Sequence, residues 1–567
     1  MAAKALVVGG YFFLLLLVGF FTQRRARAKE ADYFLASRSL SPLLLFITMA
    51  ATNFSAFTVF GFSGAGWRIG YAFYPIMAFG TGFMALSFFV IGRPVWRLGR
   101  EKGLLTPPEL ILDRLGSPTL RLVFLAVLVA FTLPYLAMQP MAAGYALEGL
   151  LGIPYVWGAV LVTAVMLAYM LLGGMRAVAW TAVVQGVMMI VFLALALGVI
   201  AAAHGGLTSA NRSAAEAFPA LFSRPGGGSV FGPGVWLGYL LLWLLCDPMF
   251  PQLFQRFYAA RSLRALSLTA TLYPLVTGGL FLCTVSIGVI GRLSYPTLES
   301  GAASDSILPM LLSKHAPGVI EALVLTAGLA ALMSTLDSQL LTLSSMVSRD
   351  LLGPLLKRRR VGEKGTFWIG KALVLVLGIG GLLLALRLPG TLLDIATESF
   401  TGFAVLFPTV IAALYWPRVT PAGAVASILV GEGLLAAYRF NLLPSFGTLP
   451  VVPIVLATTV VLVAGSLLSR RPKPRPGGRV RLTRGGIFAA LGCLGLFALA
   501  NDVWSWGDAR LGPLGFPLWV WYAMALCVAT AVLFGVIGHV LDRPEREAAE
   551  RQELAEKGNA PGRRPAA

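Results

Sequence analysis

Charge is what this chain has least of. Asp, Glu, Lys and Arg make up 12% of its 567 residues, about half the share carried by soluble domains. That scarcity excludes a string of water-soluble domains, which a chain this long would otherwise form. Histidine is rarer still: His204, His315 and His539 are scattered, and none stands at metal-ligand spacing from another. The four cysteines, Cys246, Cys283, Cys493 and Cys527, lie in apolar segments without a CxxC pair, which argues against a zinc site or a disulfide frame. No Walker A sequence is present, and no GxSxG or HExxH. ATP therefore does not drive the protein by that route, and an enzyme has nothing to work with.

What fills the chain instead is apolar. Hydrophobic residues make up 57% of it, and the mean hydropathy is +0.80. This content runs along almost the whole length, so one integral membrane domain is the economical reading. A hydrocarbon core takes about 20 apolar residues as helix. Fifteen segments qualify: 5–22, 43–64, 72–96, 120–147, 154–174, 177–203, 234–256, 267–292, 317–345, 367–386, 391–416, 420–437, 450–469, 485–502 and 518–541. Segment 5–22 lacks a small-residue cleavage site and its arginines follow it, so it reads as a retained span. The net charge of +20 would suggest nucleic acid in a soluble protein. Here the basic residues sit in short runs between spans, and the orientation rule for membrane proteins explains them better. The runs Arg24 to Lys29, Arg93 to Lys102, Arg256 to Arg264, Lys357 to Arg360 and Arg470 to Arg484 alternate with basic-poor loops. The alternation predicts an outside N-terminus, an external 204–233 loop and a cytoplasmic C-terminus.

Three spans carry chemistry. The second, LLFITMAATNFSAFTVFGFSGAGW, puts Ala51-Thr52-Asn53-Phe54-Ser55 at mid-membrane. Small polar residues packing helix on helix explain such a cluster as readily as a site does. The ninth, ALVLTAGLAALMSTLDSQLLTLSS, gathers Ser334, Thr335, Asp337, Ser338 and Gln339. A carboxylate at that depth requires a partner or a task, and the hydroxyls suit a hard cation. The seventh holds Asp247-Pro248 and Pro251, which predicts a broken helix. Unwound backbone is tolerated at depth only where it is buried in protein or lines a cavity. The second and seventh spans are thus the candidate discontinuous helices. They stand five spans apart, as an inverted five-plus-five repeat requires.

From about Tyr33 to Arg418 the chain resembles the sodium:solute symporters, which include sodium/proline, sodium/pantothenate, monocarboxylate and sodium/sugar carriers. The resemblance is carried by DYFLASRSL, ATNFSAFTVFGFSGAGW, LLGGMRAVAWTAVVQG and LAALMSTLDSQLL. It implies an all-α polytopic protein of the leucine-transporter type, with ten core helices in two inverted repeats. It implies a sodium site made by the Ala51, Phe54 and Ala331 carbonyls and the Ser334 and Thr335 hydroxyls. Family members usually carry Asp two residues after the Trp of WT-x-x-x-Q, where this chain has Ala182. That departure puts the conventional second sodium in doubt. Asp337, with Ser338, could supply a second cation site from the other side; hydrogen bonding to a neighbouring helix is the equal alternative for Asp337. Solute contacts carried over are Asn53, Ser55, Tyr135, Gln139, Trp243 and Asp247. Proline carriers have Tyr where Asp247 stands, which argues against proline. The PYLAMQ and FPQLFQRFYAARS stretches look like the pantothenate and monocarboxylate branch, yet an unpaired Asp247 would repel a carboxylate.

The resemblance implies secondary, sodium-coupled import of a small polar organic solute, an organic anion, amino acid or sugar-like molecule. The partners expected are that solute, sodium and membrane lipid, with neither nucleic acid nor an obligate protein partner. A proton-coupled carrier of the same fold and a transporter-like solute sensor are the rival readings. The expected organisation is an extra N-terminal helix and linker over 1–42, a transport core over 43–416 (repeats 43–203 and 234–416), peripheral helices over 417–541 and a cytoplasmic tail over 542–567.

Overall fold

The computed structural model describes residues 2–23, 38, 40–298, 301–354, 363–387, 391–470 and 484–558. The expectations for the basic runs at 24–29, 357–360 and 471–483, for most of DYFLASRSL and for the end of the tail lie outside the described residues. In hydrocarbon a backbone must satisfy its own hydrogen bonds, and the described chain does so almost wholly as helix. Its only β pairings are the single bridges Leu40–Ala260 and Leu511–Pro517. Among the described residues, thirteen helices are long and apolar enough to cross a membrane, or up to fifteen when each of two bent pairs counts as one span.

The chain starts with α1 (Ala2–Gln23), α2 (Pro42–Asn53) and α3 (Phe57–Ile69). Next come α4 (Phe73–Lys102), the short connector α5 (Pro107–Leu115) and α6 (Pro118–Leu151). Spans α7 (Tyr155–Leu172) and α8 (Val178–Ala202) belong to one helical run, Tyr155–Ala202. That run cannot be straight. Tyr169 and Gln185 would stand about 24 Å apart on a straight helix, yet both side chains come together beside one turn of the helix carrying Met333 and Asp337.

The second half repeats the order. Connector α9 (Leu207–Ala217) leads to α10 (Pro233–Met249), α11 (Pro251–Ala259) and α12 (Leu263–Ser294). Connector α13 (Ile307–His315) precedes α14 (Gly318–Leu352), α15 (Trp368–Ala385) and α16 (Leu392–Tyr415). Helices α17 (Pro421–Arg439), α18 (Val451–Leu468), α19 (Gly485–Ser505) and α20 (Leu518–Gly558) follow. Burial separates centre from rim: the most apolar window of α4 is 89% buried and that of α14 83%, against 17% for α19. Lipid-facing apolar surface is what a peripheral helix presents.

The two bends fall at equivalent places in the halves. Helices α2 and α3 meet at 63°, α10 and α11 at 52°. The second bend has Pro248 and Pro251, which lack the N–H a helix needs. The first has no proline. There Phe54 leaves the helical region (φ −84°, ψ 103°). The next three N–H groups donate to side chains: Ser55 to Thr58 Oγ1 at 3.4 Å, Ala56 to Gln139 Oε1 at 3.0 Å, Phe57 to Ser55 Oγ at 3.2 Å. Ser and Thr compete with helix in this way. The start of α2 is tied to the end of α11, since Leu40 N–H donates to Ala259 O at 3.3 Å and Arg261 N–H to Leu40 O at 3.0 Å.

Ion pairs sort the loops by side. Arg224, in the 204–233 loop, pairs with Asp502 near the end of α19, and three indoles, Trp236, Trp506 and Trp519, surround its guanidinium. Arg93 on α4 pairs with Asp542 on α20 at 2.5 Å. One sequence expectation is corrected here. Arg256, counted among the basic residues of an inside loop, is fully buried on α11. A charge can sit at that depth because partners surround it, and tertiary packing supplies them.

Close helix contact depends on small residues. A Cβ on Gly288 of α12 would lie 2.0 Å from the Ser63 carbonyl oxygen and 2.7 Å from Trp67 N on α3. Gly279 on the same helix has nothing within 4 Å. Gly288→Ala is expected to destabilise the solubilised protein by about 1–3 kcal/mol, as overpacking does. Gly279→Ala should leave melting unchanged or raise it. Equal melting temperatures for the two variants would contradict this packing.

Candidate functional site

The break after α2 turns its last carbonyls toward α14. The Thr335 hydroxyl lies 2.9 Å from Thr52 O, 3.4 Å from Phe54 O and 3.4 Å from Ala331 O. One hydroxyl proton can satisfy one of these three acceptors. Beside it the Ser334 hydroxyl is buried with no hydrogen-bond partner. The cluster is therefore all oxygen, short of donors and closed to water, which fits a hard monovalent cation. Of the residues put forward for sodium, Phe54, Ala331 and Thr335 are brought together, with Ser334 adjoining. The carbonyl that Thr335 meets on the preceding turn is that of Thr52. Ala51 is buried, and its Cβ packs near Gly186 of α8.

One turn along α14 lies a second polar group. Tyr169 on α7 donates to Asp337 Oδ2 at 2.5 Å, while Oδ1 is buried without a partner. Ser338 donates to Ser334 O at 3.0 Å and lies 3.0 Å from Thr52 Oγ1. Arg256 of α11 enters here. It donates to Ser338 Oγ at 2.8 Å and to Thr52 Oγ1, and its charge acts on Asp337. The two residues put forward for a second cation site thus share a guanidinium as neighbour. Asp337 also makes the helix-to-helix bond that was its alternative reading. Ala182 is buried, and Trp180 two residues before it is 58% exposed, a lipid-facing position.

Toward the cytoplasmic end implied by the loop charges, α11 and α14 stay zipped by polar contacts. Gln255 donates to Ser345 Oγ at 3.0 Å and accepts from Thr342 at 2.7 Å. Thr106 donates to Asp350 at 2.7 Å. These side chains continue the line of Ser334 and Ser338 along α14.

A small cavity of about 20 Å³, room for about one water, lies between the two breaks. Of the six residues put forward for the solute, Asn53, Tyr135, Trp243 and Asp247 line it. Ser55 and Gln139 instead accept the N–H groups of the break, as described above. Sequence reasoning missed most of the wall, which is aromatic: Phe57, Phe62, Phe250, Phe281 and Phe400. Phe400 on α16 stacks edge-on to Tyr135 and Trp243 with ring centroids at 4.8 and 5.3 Å. An apolar residue in an apolar span carries no local signal that it faces a cavity. Thr52 and Arg256 were also missed, because their partners are distant in sequence.

Comparison with known proteins accords with this geometry. The model of the "Sodium:solute symporter family" matches residues 33–431. The high-affinity proline transporter PutP of Bacillus subtilis is 28% identical over 448 residues, covering 76% of this chain and 93% of that protein. A sodium/pantothenate symporter of Haemophilus influenzae is 27% identical over 449 residues, covering 78% and 90%. Among solved structures, a Na⁺-coupled sialic acid symporter in a substrate-bound outward-open state aligns with a TM-score of 0.69 at 20% identity, over 83% of this chain and 99% of that one. A nucleobase-cation-symport-1 family transporter aligns with a TM-score of 0.52 at 13% identity, over 76% and 93%. The fold is the leucine-transporter type, as expected.

The buried guanidinium and carboxylate should be coupled energetically. The two make no direct ion pair, since the guanidinium donates to Ser338 and Thr52, but losing it removes an opposite charge that acts on Asp337, a cost of about 1–3 kcal/mol for a buried group left unmet. Arg256→Met should therefore lower the melting temperature sharply, and adding Asp337→Asn should recover much of the loss. A double variant as unstable as the sum of the singles would show that the two charges act independently.

Proposed function

The chain belongs to the sodium:solute symporter family, and on that premise we propose that it imports a small polar solute together with sodium by alternating access. Sodium-coupled transport across a membrane is the family's activity; the site assignments, orientation and solute are our reading. The observation that carries the reading is the Thr335 hydroxyl lying among carbonyls of α2 and α14, with the Ser334 hydroxyl unpartnered beside it. Helix α2 opens the first five-helix repeat and α14 belongs to the second. Thr52, Phe54, Ala331, Ser334 and Thr335 would hold sodium across that seam, with the Ala51 carbonyl one turn back.

Coupling follows from adjacency. Asn53 lines the solute cavity, while its neighbours Thr52 and Phe54 offer their carbonyls to the cation nest. A change in the break moves both sets of atoms. Solute and sodium must then raise each other's affinity by the same factor. A ligand that spans two repeats favours the arrangement in which they are close. The zipped contacts between α11 and α14 would part to release both to the cytoplasm. In this reading the transport core spans 43–416, with 1–42 and 417–541 as peripheral helices and 542–567 as the tail. The N-terminus faces outside and the C-terminus the cytoplasm.

Thr335→Ala is expected to raise the sodium concentration for half-maximal uptake into proteoliposomes roughly tenfold, the effect of losing about 1.4 kcal/mol. Ser334→Ala should shift it the same way. The assay holds pH constant, so that proton coupling reads as an absence of sodium dependence. Unchanged sodium dependence in both variants would defeat the assignment.

Orientation has its own test. All four native cysteines are buried or half-buried, so background labelling is low. Ser229→Cys, at an exposed position of the 204–233 loop, should react with an impermeant thiol reagent on intact cells. Arg261→Cys, exposed after α11, should react only after permeabilisation. The reverse pattern would invert the topology.

A further inference from the structure

Asp247 stands in the wall of the cavity with little to balance its charge. The Asn53 amide donates to Oδ2 at 3.4 Å, near the long limit, and the Cys246 thiol, a weak donor, to Oδ1 at 3.5 Å. The stronger bond of that amide goes to the Tyr273 hydroxyl, at 2.6 Å. The side chain is 2% exposed. No Lys, Arg or His lines the cavity. The one buried guanidinium nearby, Arg256, is committed to Thr52, Ser338 and Asp337, away from it.

The remaining wall is mostly ring faces and edges. Trp243 stacks on Phe57 with centroids 5.9 Å apart, and Phe250 lies 4.7 Å from Phe400. The neutral polar groups are few: Asn53, Thr58, Thr81, the Tyr135 hydroxyl, and the Trp243 indole N–H, which is buried without a partner. A sugar needs a partner for each hydroxyl it buries, and this wall cannot supply them. A carboxylate brought beside Asp247 would be repelled in a low-dielectric site. A positively charged nitrogen meets the opposite conditions. It gains the carboxylate's attraction and that of the aromatic quadrupoles, which hold ammonium groups when desolvated.

We propose that the cavity takes a solute bearing an alkylammonium group, with its cationic nitrogen held between Asp247 and the rings of Tyr135, Trp243 and Phe400. The assignment rests on the symporter reading and names the class of solute for that site. It departs from the organic-anion and sugar-like expectations drawn from the sequence. Both a plain cation and a zwitterion bear such a group, and the probes separate these.

The test is equilibrium binding to the purified full-length protein in saturating sodium at constant pH. The probes are choline, its uncharged isostere dimethylbutanol, proline as a zwitterion, and propionate as a small anion. Choline or proline should bind, and dimethylbutanol and propionate should bind at least about tenfold more weakly. Binding of choline identifies a cation site, and binding of proline alone a zwitterion site. Asp247→Asn should cost the bound ammonium probe about tenfold or more, while Asp247→Glu keeps the preference for charge. The sodium-induced melting shift without solute reports that each variant is folded. Silence of both ammonium probes, equal binding of the isostere or the anion, or no loss in Asp247→Asn overturns the proposal. Absence of any sodium-induced shift in the wild type would instead strike at the symporter reading.

Discussion

A helix that stops inside a bilayer strands its last carbonyls where no water can reach them. Each stranded group costs free energy comparable to a lost hydrogen bond, so the protein must supply partners or leave a place for a cation. In this chain the donors freed at the first break are met by Thr58, Gln139 and Ser55. The Thr52 and Phe54 carbonyls share a single hydroxyl, Thr335, which also lies near the Ala331 carbonyl of its own helix. That imbalance, donors satisfied and acceptors in excess, concentrates negative partial charge at one point between two repeats. The shape of the cavity, the packing of α14 against α2 and the linkage of the two transported species all descend from it.

The two breaks reach similar angles by different chemistry. At α10 and α11 the covalent structure of proline removes the bond, so the bend survives whatever its surroundings. At α2 and α3 the bend is held by side chains that could in principle release the backbone. Gln139 matters for this reason. Its Oε1 accepts from Ala56 while its Nε2 donates to the Tyr135 carbonyl at 3.0 Å, so α6 holds the break open from outside. A break held by side chains is better suited to move than one held by proline. Since Asn53 and its neighbours face both cavity and cation nest, the adjustable break is the one that both ligands touch.

Much of this was legible in the sequence, for identifiable reasons. Span lengths, the two breaks and their spacing are local properties of hydrophobic runs, prolines and small polar clusters. Asp247, Trp243, Tyr135 and Asn53 could be put forward because polar or bulky groups beside a break are conspicuous. Other residues were not legible because their meaning is relational. Which carbonyls of α2 face α14 depends on how one helix is rotated against the other, which no local signal fixes. Phe400 looks like any lipid-facing phenylalanine until α16 is placed against α6. Arg256 looks like the basic end of a span, and the rule that counts such residues as loop assumes no carboxylate awaits inside. Asp337, 81 positions on in the numbering, is what makes the rule fail there.

The buried charges divide the interior into two electrostatic regions. Around Asp337 a guanidinium is already present, so the carboxylate there is compensated by the protein itself. Around Asp247 no cationic side chain lines the wall, and compensation must come from what enters. An opposite charge nearby favours the charged form of both groups without a ligand, whereas an uncompensated carboxylate favours occupancy by a cation. Through Thr52 and Ser338 the guanidinium ties α11 to α2 and α14. Under the proposal for this cavity, Asp247 would make solute binding an act of charge neutralisation. A site that is neutral only when loaded has a physical reason to close around its cargo, because moving a neutralised pair through the low-dielectric closed state costs less than moving the bare carboxylate. Under the proposal for this cavity, Asp247 would thus select the solute by its charge and gain most from closing around a cationic cargo.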